Sequence, residues 1–185
     1  MSLHFKLGIV NDLYDILDKI LAAHTLRMRA DYWAKACYLI RNSHYGAKKQ
    51  FNGHGCHTLL ENIKKLTDLL THHNLFELCK PVVDCFEAIH CVVKSCFGKT
   101  LYERYHDDIK QFARAFFLLK AYCANLSIRI HVTPKIHGTF IHIKQFIDYQ
   151  KAEKNMEFGL GLHSEQVSPS PPPILKQIYK FLSQF

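Results

Sequence analysis

The stretch Leu7-Gly8-Ile9-Val10-Asn11-Asp12-Leu13-Tyr14-Asp15-Ile16-Leu17-Asp18-Lys19-Ile20-Leu21 sets the fold class of this chain. Leu7, Val10, Leu13, Tyr14, Leu17, Ile20 and Leu21 recur three and four residues apart, the spacing that gathers apolar side chains on one stripe of an α-helix. The same period returns down the chain. Trp33, Ala36, Cys37 and Ile40 mark a shorter helix over 32–41, and Asn42 to Gly55, with its Asn and Gly residues, reads as a loop. Leu59, Leu60, Ile63, Leu66, Leu69 and Leu70 predict a third helix that begins near Cys56 and closes at His72, His73 and Asn74. Pro81 suits the first turn of a fourth, with Val82, Val83, Phe86, Ile89, His90, Val93 and Phe97 inward and Gly98 at its end.

A long fifth helix is expected over 101–126, carrying Tyr105, Ile109, Phe112, Phe116, Leu119, Ala121 and Tyr122 on its buried face, and a sixth over 135–149. Residues 127–132 read as an extended lead-in to Pro134. The fold class is therefore mainly α, a helical bundle of about six helices. Residues 1–166 form the helical domain and 167–173 a Pro/Ser linker, whose prolines lack amide protons and fix φ. A C-terminal helix over 174–185 follows, its Ile174, Leu175, Ile178, Tyr179, Phe181 and Leu182 forming a broad apolar face. No repeat of solenoid period occurs.

Composition narrows the class of function. The 185 residues hold 24 Lys plus Arg against 16 Asp plus Glu, with 13 His in addition, a balance that suits a polyanionic partner such as DNA and equally a solvated surface, since the basic residues are spread along the chain. Lys48, Lys49, Lys64, Lys65, Arg104, Lys110, Arg114, Lys144 and Lys151 are the candidate phosphate contacts. The seven cysteines form an odd set without a CxxC pair, and no hydrophobic leader follows Met1, so an intracellular location, nucleus or cytoplasm, is expected. No apolar run approaches the roughly 20 residues of a spanning helix, so no membrane partner is expected.

Chemistry-bearing patterns are few. His137 and His142, five apart in a helix, can converge as half of a tetrahedral zinc site where the backbone bends, though two partly buried polar residues on an amphipathic helix is the simpler reading of the spacing; zinc is the only cofactor the pattern raises. His54, Cys56 and His57 cluster at a loop-to-helix junction, where a capped helix with incidental histidines is the simpler reading. Cys79, Cys85, Cys91 and Cys96 share no ligand spacing and read as small core fillers. No Walker-type phosphate loop and no nucleophile elbow occurs. Asp12, Asp15, Asp84, Asp107, Asp108, Asp148 and Glu165 are the acids available for two-metal phosphoryl chemistry, and nothing in their spacing brings them together.

Four blocks carry a resemblance: Leu3-His4-Phe5-Lys6-Leu7-Gly8-Ile9-Val10-Asn11; Phe51-Asn52-Gly53-His54-Gly55-Cys56 with Leu59-Leu60; Thr133-Pro134-Lys135-Ile136-His137 with His142; and Gly159-Leu160-Gly161-Leu162-His163-Ser164-Glu165-Gln166. In this order they resemble transposon-encoded proteins of invertebrate genomes over nearly all of residues 3–166. More distantly, they are similar to the catalytic core of Transib-type DDE transposases and of the large subunit of the V(D)J recombinase. The resemblance implies a helical insertion from a divided RNase H-like fold, with His137 and His142 as the histidine half of a zinc site. It places Glu165 in the segment that bears the last catalytic acid. The family's first two aspartates and its cysteine pair fall before Met1, and a proline-serine run replaces the pattern after Gln166. The implied function is a transposon-derived, catalytically incomplete module that binds DNA through a basic surface and does not cut DNA alone. The alternatives are a protein-interaction bundle that self-associates, and a subunit of an active transposase completed by a parent transposase chain.

Overall fold

A computed structural model describes residues 2–25, 28–41, 50–98, 100–154 and 159–160. Seven α-helices occupy these residues: α1 (Ser2–His24), α2 (Ala30–Ala36), α3 (Gly53–Glu61), α4 (Ile63–His72), α5 (Phe76–Phe97), α6 (Tyr105–Asn125) and α7 (Pro134–Lys154). They form a mainly α bundle, with no strand among the described residues. The C-terminal helix expected over 174–185 and the linker before it lie outside the described residues. No described helix is long and apolar enough to cross a membrane.

The bundle is built around α5. That helix packs against α1, α3, α4 and α6, while α7 closes the side between α1 and α6. Val82, Cys85, Phe86, Ile89, Val92 and Cys96 of α5 are buried and meet Leu13, Leu17 and Ile20 of α1 and Ile109, Phe112, Phe116, Leu119 and Cys123 of α6 in one continuous core. On α6 the buried positions Tyr105, Ile109, Phe112, Phe116, Leu119 and Cys123 alternate four and three residues apart. This heptad phase leaves Ala121, assigned inward from the sequence, exposed.

One helix more than the expected six arises at Asn62. The apolar period runs unbroken through 59–70, yet the chain breaks between α3 and α4. The Asn62 side chain donates to the Thr58 carbonyl at 2.8 Å, and the Trp33 indole Nε1 donates to the Asn62 carbonyl at 3.1 Å. Both bonds draw on groups of the kind that would extend the helical ladder, and the second comes from a residue 29 positions away. Two further boundaries differ. Helix α5 begins at Phe76, five residues before Pro81, so the proline lies within the helix and leaves only the Glu77 carbonyl without its usual amide. Helix α2 stops at Ala36, short of Arg41.

Three helix ends share one geometry. Tyr38, Asn74 and Ser127 take left-handed φ values of 57°, 55° and 58° after α2, α4 and α6. In each case the next amide reaches back five residues: Leu39 to Ala34 at 2.9 Å, Leu75 to Leu70 at 2.8 Å and Ile128 to Cys123 at 2.8 Å. These are Schellman caps, and the apolar residue that follows each turn packs on the core as the motif requires.

Three of the blocks quoted above for the resemblance meet in the fold. Asn11, buried in α1, donates from Nδ2 to the Phe51 carbonyl at 3.2 Å and accepts the Phe51 amide at 2.8 Å. Asn52 caps α3 by accepting the Gly55 amide at 2.8 Å. The hydroxyl of Thr133 accepts the Ile136 amide at the start of α7, whose Lys135 side chain lies across Gly8 of α1. Gly159 sits against the end of α5, where an added Cβ would stand 2.1 Å from the Gly98 carbonyl oxygen.

Candidate nucleic-acid interface and histidine pair

Helices α6 and α7 run antiparallel, with Phe140 beside Phe116 and Asp148 beside Tyr105. Five of the nine candidate phosphate contacts fall on this pair or at its edge: Arg104, Lys110, Arg114, Lys144 and Lys151. Lys64 and Lys65 lie on α4, which packs on α5 and α2. Lys48 and Lys49 lie outside the described residues.

The cations differ in how much charge they have to offer. Lys64 pairs with Asp68 at 3.0 Å, and Lys65 donates to the Ala36 carbonyl at the C-terminal end of α2. Arg104 holds the buried Asp108 through Nε and a terminal nitrogen, and that hydrogen bond raises the guanidinium further above its ordinary range. Lys144 is bonded to Asp148. Lys110 and Arg114, one turn apart on the exposed face of α6, form no ion pair among the described residues. Of the described candidates, these two are the ones that are exposed and hold neither an acidic partner nor, as Lys65 does, a backbone carbonyl among the described residues.

At the junction of the two helices Tyr105 donates to Asp148 at 2.6 Å, and the Lys151 ammonium stands 5.1 Å from the Tyr105 ring centroid. Burial, reinforced by the bond to Asp148, pushes the Tyr105 phenol up to about 12. Burial alone would raise Asp148, but the bonds it accepts from Lys144 and Tyr105 outweigh this and hold its carboxyl below the usual range. The cluster locks α7 to the first turn of α6 and fixes Lys144 and Lys151 relative to Lys110.

The histidine pair also comes together. His137 and His142 have ring centroids 5.5 Å apart, nearly edge to face, and His142 Nδ1 lies 3.1 Å from Gln145 Oε1. Two imidazoles make half of a tetrahedral zinc site. Among the described residues no three His, Cys, Asp or Glu side chains are placed to hold a metal ion, so these residues alone do not fit zinc. His54, Cys56 and His57 separate: Cys56 is buried beside Asn11, and both histidines are exposed.

Among the described residues no three of the candidate acids gather where they could hold a metal ion. Asp15 pairs with Arg41, Asp84 with Lys80, Asp108 with Arg104 and Asp148 with Lys144. Glu165 lies outside the described residues. Six of the seven cysteines are buried, and burial drives the Cys79 and Cys96 thiols up to about 12. Cys91 is half-buried and lines a cleft of about 640 Å³ with Lys94, Tyr102, Arg104 and Asp108. Nothing in the sequence marks this cleft, because the turn between α5 and α6 assembles it.

This face also carries exposed apolar residues, which the predicted inward stripes leave out. Phe117 is 52% exposed, Leu118 64% and Ile141 43%. The chain matches no protein-family model, and neither curated proteins nor solved structures match it.

Proposed function

We propose that this chain is a transposon-derived, catalytically incomplete helical module that binds DNA through the outer face of α6 and α7. The observation that carries the reading is the pair Lys110 and Arg114, exposed one turn apart on α6 and without an acidic partner among the described residues. Lys151 stands on the neighbouring helix, oriented by Tyr105. Such unpaired cations release counterions from a nucleic acid when they bind, whereas a lysine already held by an aspartate must first give up that bond. The resemblance to transposon-encoded proteins motivates the lineage. The described candidate acids are spread over α1, α5, α6 and α7, and four of them are already engaged by cations, which favours binding over phosphoryl transfer.

The test is fluorescence anisotropy of labelled DNA across a range of KCl. Binding should weaken steeply with salt, and Lys110→Gln and Arg114→Gln should each lower the slope of log K against log salt by about one. Lys64→Gln should leave it unchanged. Salt-insensitive or absent binding would end this reading. A second reading, a protein-interaction bundle, is favoured by the exposed Phe117, Leu118 and Ile141. Self-association in sedimentation runs that persists at high salt and is lost in Leu118→Lys would support it.

A further inference from the structure

The outer stripe of α6 combines charge with a braced aromatic ring. Lys110, Arg114, Phe117 and Ala121 stand at successive spacings of four, three and four residues. At about 100° per residue this places them within one narrow strip, opposite the buried heptad of Tyr105, Ile109, Phe112, Phe116, Leu119 and Cys123. All four are solvent-facing. Lys110 and Phe117 are separated by about 10 Å along the helix axis, at roughly 1.5 Å per residue, about the rise of three stacked nucleotides at 3.4 Å each.

Phe117 is not a loose surface residue. Its ring centroid lies 5.7 Å from that of Phe140, tilted by 36°, and 6.2 Å from that of Phe116, edge-on. Phe140 is in turn packed against Phe112 and Phe116 at 5.5 and 6.0 Å. The ring is therefore supported from beneath while about half of it faces solvent. A half-exposed phenylalanine on a cationic strip sacrifices apolar burial that a polar residue would not have had to make.

We infer that this strip binds single-stranded nucleic acid, with a base stacked on Phe117 and adjacent phosphates held by Lys110 and Arg114; the inference rests on the nucleic-acid reading above and specifies its substrate. Every base has a π-face, so one fixed aromatic ring among cations binds single strands with little regard to sequence. In a duplex the base faces are already stacked on each other and only phosphates and groove edges are offered, for which Phe117 has no use. Charge complementarity also sets this occupant above an apolar peptide. A protein partner seeking Phe117 and Leu118 would have to bury or displace Arg114 in the same strip, at a desolvation cost that a phosphate backbone repays.

The test compares a fluorescein-labelled oligothymidylate of about 20 nucleotides, long enough for one site, with a duplex of the same length at one salt concentration. The single strand should bind at least tenfold more tightly. Phe117→Ala and Phe117→Leu should weaken it about five- to a hundred-fold, the value of one base stacked on an aromatic ring. The salt slope should stay unchanged in both variants. Phe117→Trp should retain binding, and its emission should be quenched by the oligonucleotide, because the sole native tryptophan, Trp33, is fully buried. Thermal melting of each variant checks that the exposed position leaves the fold intact. Equal or tighter binding of duplex, or full binding by Phe117→Ala and Phe117→Leu, would overturn this inference. If that binding still followed Lys110 and Arg114, the DNA reading would stand. Failure to bind either nucleic acid would end both.

Discussion

Replacing Asn11 should cost this protein more stability than its size suggests. The side chain is 2% exposed and makes two backbone bonds to Phe51, itself 3% exposed, accepting its amide and donating to its carbonyl. In Asn11→Ala the Phe51 amide loses its partner in a buried setting, and the Phe51 carbonyl keeps only the weak Cys56 thiol donor at 3.8 Å. An orphaned buried polar group costs about 1–3 kcal/mol, so the amide alone sets a loss of that size, to which the weakened carbonyl adds. The three heavy atoms removed from the side chain contribute little apolar burial, so the polar term dominates. Asn11→Leu separates the two effects. It keeps the branched shape, with bulkier methyl ends, and adds apolar contact, yet should still lose at least about 1 kcal/mol because the Phe51 amide remains unmet. Asn11→Asp should be the worst of the three, since its carboxylate would face the Phe51 carbonyl. Urea unfolding followed by circular dichroism gives the free energies directly, with Cys56→Ala as a control for disturbance of the neighbouring thiol. A loss below about 0.5 kcal/mol in both Asn11→Ala and Asn11→Leu would show that the clasp is dispensable and refute the reasoning.

Three further outcomes follow from the packing. Gly159→Ala should lower stability by about 1–3 kcal/mol, because the new Cβ would collide with rigid backbone at Gly98. Gly8→Ala should be neutral or stabilising by up to about 1 kcal/mol, because there the obstacle is the flexible Lys135 side chain and alanine favours the helix. Equal melting temperatures for the two glycine variants would contradict this contrast. The raised thiols of Cys79 and Cys96 and the raised phenol of Tyr105 set the alkaline behaviour. A group whose folded pKa is raised contributes stability that is present below its unfolded value, here near 9 for the thiols and 10 for the phenol, and lost as pH rises toward about 12. The melting temperature should therefore fall progressively above pH 9, less steeply in Cys79→Ala once its own stability loss is subtracted; a flat profile to pH 11 would count against it. Among the seven thiols, only the half-buried Cys91 should react rapidly with Ellman's reagent in the native state. A fast phase of two or more equivalents, or none, would contradict the packing.

The helical class was legible because one period repeats through α1, α5, α6 and α7, and the burial of Leu13, Leu17, Phe112 and Phe116 follows from it. The break at Asn62 was not legible. Its cause is the indole of Trp33, which reaches the Asn62 carbonyl from another helix, and no local window contains both residues. Pro81 misleads for a related reason: tertiary contacts along the length of α5 outweigh the single missing amide. For the candidate site, the sequence shows which cations exist, and the spacing of four between Arg104 and Asp108 or Lys144 and Asp148 already signals which are engaged. The period of the whole helix also selects Phe116 over Phe117 as the inward ring, and the structure buries Phe116 and leaves Phe117 half exposed. The blocks that carry the resemblance have a plain structural role here: Asn11, Phe51, Asn52, Gly55 and Thr133 clasp and cap.

The central place of α5 has a consequence for how the bundle comes apart. A helix that lends its surface to α1, α3, α4 and α6 at once cannot be released by opening any one neighbour. Its amides can exchange with solvent only when the whole core opens, whereas α2, which touches α1 and α4 alone among its principal contacts, can open locally at smaller cost. The described part of the chain is in this sense indivisible. A cut in the 42–49 segment would leave α1 with Leu13, Leu17 and Ile20 bare, and the two pieces would have to find each other again before either regained its core.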